Sequence, residues 1–298
     1  MQRPGEATQG EALVTWALWS VVLVAVVVTY ARLDPAELYH TSNEGIAGGV
    51  SRAVVLLNFP IALVAIAAVL IALDVLPRSA WLVGGPAVAL CAVVAWPGVV
   101  DQDDLDVRWI NTVPAAGTAL AVALTLVAFR RSGSTLTERL PLDPARTAIG
   151  VVALVASIPW FAAELGVYLP EGIWIMERPG VEADGSTIAA VHLGHHHGLD
   201  GTLVLLSGLL LSRPRIVETG LATARWLYVS LAVGYGAVNM AQDYWNEQLV
   251  KRGWLDWKIP SALNPKLAWI WLVVLGIAAA AAVALRLEDR RALRRLAA

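Results

Sequence analysis

The stretch that decides the fold is Ala53-Val-Val-Leu-Leu-Asn-Phe-Pro-Ile-Ala-Leu-Val-Ala-Ile-Ala-Ala-Val-Leu-Ile-Ala-Leu73, which contains no ionisable side chain. A helix of about 20 apolar residues crosses a hydrocarbon core of roughly 30 Å. A segment inside lipid finds no water to satisfy its backbone N–H and C=O groups, so it must be helical. This stretch therefore predicts a transmembrane helix.

Similar apolar runs recur along the whole chain of 298 residues. The chain is 57% hydrophobic and 15% charged, whereas a soluble domain carries about 25% charged residues. We predict an all-α, polytopic integral membrane protein with about eight transmembrane helices in a single membrane domain, 1–298. The predicted spans are about 12–31, 46–74, 80–99, 109–129, 147–168, 189–212, 222–245 and 267–286.

The composition also excludes several classes of protein. A soluble enzyme does not fit the hydrophobic fraction, and a net charge of −2 without a basic patch argues against a nucleic-acid partner. Cys91 is the only cysteine, so an intrachain disulfide scaffold is impossible. The predicted partner is the lipid bilayer.

The distribution of Lys and Arg orients the predicted helices. Eight spans place both termini on one side, and the C-terminal tail carries five arginines. If that side is the cytoplasm, 14 of the 22 basic residues lie inside. The positive-inside rule then predicts a multi-pass protein of the cell membrane with both termini cytoplasmic.

All five histidines fall on the predicted outer side, and four of them lie between His192 and His197. On a helix with 100° per residue, His192, His195, His196 and Asp200 share one face. Neutral imidazoles at such spacings can converge on one transition-metal ion, and a carboxylate can complete or orient the site. We therefore predict these four residues as metal ligands, with Zn, Fe or Cu as the ion.

One histidine and two acidic residues are predicted to lie at the same depth in the membrane. His196 is 17 residues from Arg213, while Asp243 and Glu164 are each 18 residues from the inner arginines of their own spans. At 1.5 Å per residue, all three lie about 25–27 Å above the inner edge of straight helices. Glu247 belongs to a polar stripe of span seven in which residues recur at spacings of three and four, namely Tyr235, Asn239, Gln242, Asp243, Asn246 and Glu247. Asp243, Glu247 and Glu164 are therefore the predicted catalytic carboxylates.

These residues suggest a membrane-embedded metalloenzyme that opens to the outer face and acts on a lipid-like or small-molecule substrate. The metal would promote hydrolysis or oxidation, and a carboxylate that is not a ligand would act as general base. Whether the protein is an enzyme at all stays open at this point.

The sequence is also compatible with three other functions. The polar residues could line a transport or metal-handling path, although only Thr202, Ser207 and Ser230 continue it inward. The histidines could instead hold helices together in a structural subunit. Haem would need a second axial ligand, for which the candidate on another segment is His40.

Overall fold

The computed structural model describes residues 9–34, 37–38, 42–96, 98–100, 106–132, 135–181, 185–194, 196–216, 219–263 and 268–296. Within these ranges the regular structure is helical except for one two-stranded hairpin, which confirms the predicted all-α membrane bundle.

Ten α-helices follow one another in the described part of the chain. They are α1 (Gly10–Arg32), α2 (Gly45–Leu56), α3 (Ala62–Val75), α4 (Trp81–Ala92), α5 (Thr112–Ser132), α6 (Asp143–Ala156), α7 (Ile158–Glu164), α8 (His197–Leu211), α9 (Thr219–Asp243) and α10 (Ile270–Leu296). Shorter helical turns extend some of them. These are the π-helical turns Leu57–Ile61 and Tyr244–Val250 and the 3-10 turns Arg78–Ala80, Val93–Ala95 and Trp109–Asn111. A small antiparallel hairpin joins β1 (Pro179–Val181) to β2 (Thr187–Ala189).

Five helical segments of the described chain are long and apolar enough to cross a membrane. They are Gly10–Arg32, Gly45–Val75, Arg78–Ala95, Trp109–Ser132 and Ile270–Arg291. A sixth is added if α6 and α7, which are bent by 57° relative to each other, form one span. Each of the eight predicted spans contains helix, but α8 has only 15 residues and is shorter than a full crossing requires.

The prediction for the start of the sixth span is wrong. Helix α8 begins at His197, not near position 189. Gly194 has a φ of +127°, a backbone conformation that a right-handed helix cannot contain. His196 is the N-cap residue and has an extended backbone. The predicted helical face carrying His192, His196 and Asp200 is therefore absent, since His192 and His196 precede the helix.

The predicted fifth span, 147–168, is also interrupted. Helix α6 ends at Ala156, and Ser157 separates it from α7. Pro159 lies in the first turn of α7, where its missing N–H leaves no helical hydrogen bond unmade. As a result, α7 departs from the direction of α6 by 57°.

Helices α8 and α9 approach each other closely through two glycines. A Cβ atom on Gly236 would lie 2.6 Å from the carbonyl oxygen of Gly201. A Cβ on Gly201 would in turn lie 2.7 Å from the backbone nitrogen of Met240. Small residues of this kind let membrane helices pack backbone to backbone. This contact determines which residues of α9 lie beside the N-terminus of α8.

Candidate metal centre

Three buried side chains meet where the N-terminal end of α8 lies beside the C-terminal end of α9. His196, Asp243 and Glu247 each offer one donor atom, and these atoms all lie within 4.8 Å of one another. The three residues are 2%, 8% and 8% exposed, respectively. His196 Nδ1 lies 3.5 Å from Glu247 Oε1. We call this group the His196 cluster.

The two carboxylates come from a single helical rod whose geometry changes between them. Asp243 is the last residue of α9, and Glu247 lies in the π-helical turn Tyr244–Val250. A π-helical turn inserts extra backbone and shifts the direction of the side chains that follow. It occurs here at the point where the second carboxylate joins the cluster.

Each member of the His196 cluster is held by a hydrogen bond through the atom that the cluster does not use. His196 Nε2 lies 2.7 Å from the carbonyl oxygen of His192. Because a carbonyl only accepts, Nε2 carries the proton and donates it. In the neutral imidazole, Nδ1 then presents its lone pair to the cluster.

The carboxylates are oriented in the same way. Trp160 Nε1 donates a 2.6 Å hydrogen bond to Glu247 Oε2, and the backbone N–H of Gly198 donates to Asp243 Oδ2. One oxygen of each carboxylate is thereby fixed, and the other is left for the cluster. Outer hydrogen bonds of this kind position the ligands of protein metal sites and tune their basicity.

A cation would stabilise the cluster in the state in which both of its carboxylates are ionised. Two ionised carboxylates buried together repel each other and have lost their hydration. A proton on His196 would offset one of the two negative charges, whereas a divalent metal ion would offset both. The donor set of one imidazole and two carboxylates is one that zinc and other first-row metals accept. The group could therefore hold a metal ion.

A second buried ionic group lies beside the cluster. Arg52 Nη2 donates a 3.2 Å hydrogen bond to Glu164 Oε1, and both side chains are at least 95% buried. Glu164 interacts electrostatically with His196, and Arg52 interacts with Tyr30 and Asp200. The guanidinium of Arg52 is thus linked to the cluster through Glu164, which interacts with both Arg52 and His196.

The structure places the predicted metal ligands differently from one another. His196 is in the cluster, and the ring of His192 packs against the His196 ring with 4.4 Å between centroids. Asp200 is buried in the first turn of α8, where it interacts with Arg52, His197 and Asp243 but is not part of the cluster. His195 lies outside the described residues, as does His40, the candidate second haem ligand.

The predicted catalytic carboxylates also separate. Asp243 and Glu247 meet at His196, whereas Glu164 pairs with Arg52. Two other residues of the polar stripe bind the backbone of the segment that follows the π-helical turn. Tyr235 donates to the Leu263 carbonyl, and Asn246 exchanges two hydrogen bonds with the backbone of Ile259.

Two contributors were not predicted in these roles. Trp160 is completely buried, and its indole N–H fixes Glu247. The sequence offered one clue, because a Trp that is buried needs a hydrogen-bond acceptor. The other contributor is the loop before β1. Gln248 exchanges hydrogen bonds of 3.0 and 2.8 Å with the backbone of Ile175, which ties this loop over the cluster.

Comparison of the chain with protein-family models, with curated proteins and with solved structures gave no significant match.

Proposed function

We propose that His196, Asp243 and Glu247 bind one divalent transition-metal ion, and that the protein is a membrane-embedded metal-dependent hydrolase of a lipid-like substrate. The observation that carries the proposal is the orientation of the three side chains. Each offers a donor atom within 4.8 Å of the other two, and each also has a ring nitrogen or carboxylate oxygen that is held by a hydrogen bond.

The distances are compatible with this proposal. Two donor atoms about 2.0–2.2 Å from a tetrahedral zinc ion lie about 3.4 Å apart. The separation of 3.5 Å between His196 Nδ1 and Glu247 Oε1 is close to that value. The wider separations in the cluster, up to 4.8 Å, would shorten on binding. Three protein ligands leave one coordination position for a substrate, as in catalytic zinc sites.

A divalent ion in this site would supply Lewis-acid activation of a carbonyl or phosphoryl group. The chain's own residues would do the rest. His196, Asp243 and Glu247 hold the ion, and Trp160 and Gly198 keep the carboxylates in place. Asp200, which interacts with Asp243 and His197, is the buried carboxylate left for proton transfer.

The buried polar side chains below the cluster favour a closed pocket over a transport path. Thr202 forms a hydrogen bond with Ser157, and Ser207 accepts one from the indole of Trp19. These hydroxyl groups join α8 to neighbouring helices. They therefore act as contacts between helices, which argues against a water-filled route towards the cytoplasm.

Metal binding tests the proposal directly. Protein purified without a His tag is stripped with a chelator and titrated with Zn²⁺, Fe²⁺ or Cu²⁺ in detergent. We expect one tightly bound ion per chain, lost in His196→Ala and in Glu247→Gln. Asp200→Asn is the matched control, because it changes a buried carboxylate beside the cluster and should keep the stoichiometry. Wild-type protein that binds none of these ions, or His196→Ala protein that binds as wild type does, would refute the proposal.

A further inference from the structure

A cavity lies in the bundle, and none of the residues of the His196 cluster lines it. It has a volume of about 200 Å³ and lies between the rods containing α3, α4, α9 and the start of α10. Every residue that lines it is aliphatic or aromatic. Phe59 and Leu63 form one wall, Tyr228 and Tyr235 form another, and Trp271 covers one end. We call this space the apolar cleft.

The hydroxyl protons of the two tyrosines that line the cleft are already donated to backbone carbonyl groups. Tyr228 Oη donates 2.7 Å to the carbonyl oxygen of Leu63, and Tyr235 Oη donates 3.1 Å to that of Leu263. Apolar cavities of about 150 Å³ stay dry and bind apolar molecules such as benzene. The chemistry of the cleft therefore selects a hydrocarbon.

The surroundings indicate where that hydrocarbon comes from. Three of the helical segments that line the cleft are long and apolar enough to cross a membrane. They are Gly45–Val75, Arg78–Ala95 and Ile270–Arg291. Ala95 and Leu231 on its rim are exposed on the outer surface of the bundle. In a bilayer, this surface is in contact with lipid acyl chains. A helix of a partner, about 10–12 Å wide with its side chains, is too large for the cleft.

The cleft and the His196 cluster both lie along α9. Tyr235 lines the cleft, and Asp243 is eight residues further along the same helix, about 12 Å away. Between them are two buried acceptors, Asn239 Oδ1 and Gln242 Oε1, that have no hydrogen-bond partner among the described residues. A buried acceptor without a donor is costly, so these two oxygens favour a ligand that brings donor groups.

We propose that the apolar cleft is the binding site for one hydrocarbon chain of a lipid substrate. The polar part of the lipid would extend past Asn239 and Gln242 to the His196 cluster. Seating the chain in the cleft would hold the head group at the reacting end, so that binding energy far from the chemistry orients the substrate. That the bound lipid is a substrate rests on the proposed function, whereas chain binding itself does not.

Photolabelling tests chain binding without using activity. Wild-type protein is placed in phosphatidylcholine nanodiscs that contain a phosphatidylethanolamine, whose ammonium group can donate hydrogen bonds, with a diazirine in one acyl chain. After irradiation, mass spectrometry locates the attached lipid. We expect labels concentrated on the segments Phe59–Ile66 and Tyr228–Tyr235. Labels spread evenly over outward-facing residues such as Val21 and Leu272 would overturn the proposal.

Two variants sharpen this result. Ala232→Trp fills the cleft and should lower labelling of its walls by roughly tenfold, which corresponds to about 1.4 kcal/mol of chain binding. Ala280→Trp adds the same bulk on an exposed face of α10 and should leave the labelling unchanged. Equal labelling in the two variants would contradict the proposal. If Ala232→Trp does not fold, the distribution of labels in wild type alone decides the outcome.

The two proposals fail separately. Cleft labelling in a protein that binds no metal would support chain binding and remove the role of the lipid as a substrate of a metal site. Stoichiometric metal binding with evenly spread labels would leave the metal site intact and overturn the chain-binding proposal.

Discussion

The indole Nε1 of Trp160 donates a 2.6 Å hydrogen bond to Oε2 of Glu247, a residue 87 positions further along the chain. Trp160 belongs to α7, the short helix that follows the bend after α6. Gly198 at the start of α8 lies against this indole, since a Cβ added there would be 2.5 Å from the ring. Through this one side chain, α7 fixes both the π-helical turn and the N-terminus of α8.

We therefore expect Trp160→Phe to weaken metal binding more than folding. Phe keeps most of the buried aromatic volume but cannot donate to Glu247. Losing such an outer hydrogen bond lowers metal affinity by about 10–100-fold. The measurement is a competition titration with a metal chelator.

The matched control for this prediction is Trp19→Phe. Trp19 is equally buried and its indole donates to Ser207, but this contact is far down α8 from the cluster. Its loss should lower thermal stability without altering metal affinity. An equal loss of affinity in both variants would show that Trp160 acts through general packing.

The buried pair Arg52–Glu164 gives a second prediction. Glu164→Gln removes the partner of a guanidinium that is 1% exposed, and breaking such a pair costs about 3–5 kcal/mol. Because Asp200 also interacts with Arg52, we expect a loss near the lower end of this range. The double variant Arg52→Met with Glu164→Gln should recover part of the stability, because it leaves no unpaired charge.

The measurement for this pair is thermal unfolding in detergent. Glu171→Gln, at an exposed position of the outer loop, is the control and should leave the unfolding temperature unchanged. A double variant that is less stable than either single variant would mean that the two residues do not compensate each other's charge.

The close contact of α8 and α9 gives a third prediction. Gly236→Ala places a methyl group 2.6 Å from backbone atoms of both Gly201 and Leu205, which are unable to move independently of α8. The helices must separate, at a cost of about 1–3 kcal/mol. Because Asp243 and Gly198 lie at the outer end of this contact, metal affinity should fall together with stability.

Gly276→Ala is the corresponding control on α10. A Cβ at that position meets no atom within 4 Å, so the substitution should preserve or slightly increase stability. Differential scanning fluorimetry of both proteins, with and without Zn²⁺, measures the two effects. If Gly236→Ala kept both stability and metal affinity, the glycine contact would not control the site.

The apolar runs and the inner arginines were sufficient to predict the helices and part of the site. Counting 17 residues from Arg213 to His196 worked because α8 covers nearly all of that interval, although His196 itself precedes the helix. The same count along α9 brought Asp243 to the same height, and the two residues do meet. The count placed Glu164 at the same height, but Glu164 pairs with Arg52 and does not join the cluster. The count assumed a straight helix, and the helix bends after Ala156.

Other features depend on contacts that no local pattern encodes. The positive φ of Gly194 prevents one continuous helix from containing both His192 and His196. A sequence does not show which φ a glycine adopts. The π-helical turn at Tyr244–Val250 changes the direction of Glu247 in a way that helical periodicity cannot anticipate. The Arg52–Glu164 pair joins residues 112 positions apart.

The last prediction concerns the side of the membrane on which the His196 cluster lies. The excess of Lys and Arg on the side of the termini predicts that this side is cytoplasmic, and that the loops around the cluster face outward. Single cysteines introduced by Glu171→Cys and Glu138→Cys, each in a Cys91→Ala background, report the two sides, since both positions are exposed. Intact cells treated with a membrane-impermeant thiol reagent should label position 171 and leave position 138 unlabelled. Permeabilised cells should label both, which controls for reactivity. The opposite pattern in intact cells would place the cluster and its metal supply on the cytoplasmic side, and the substrate would then have to come from the inner leaflet.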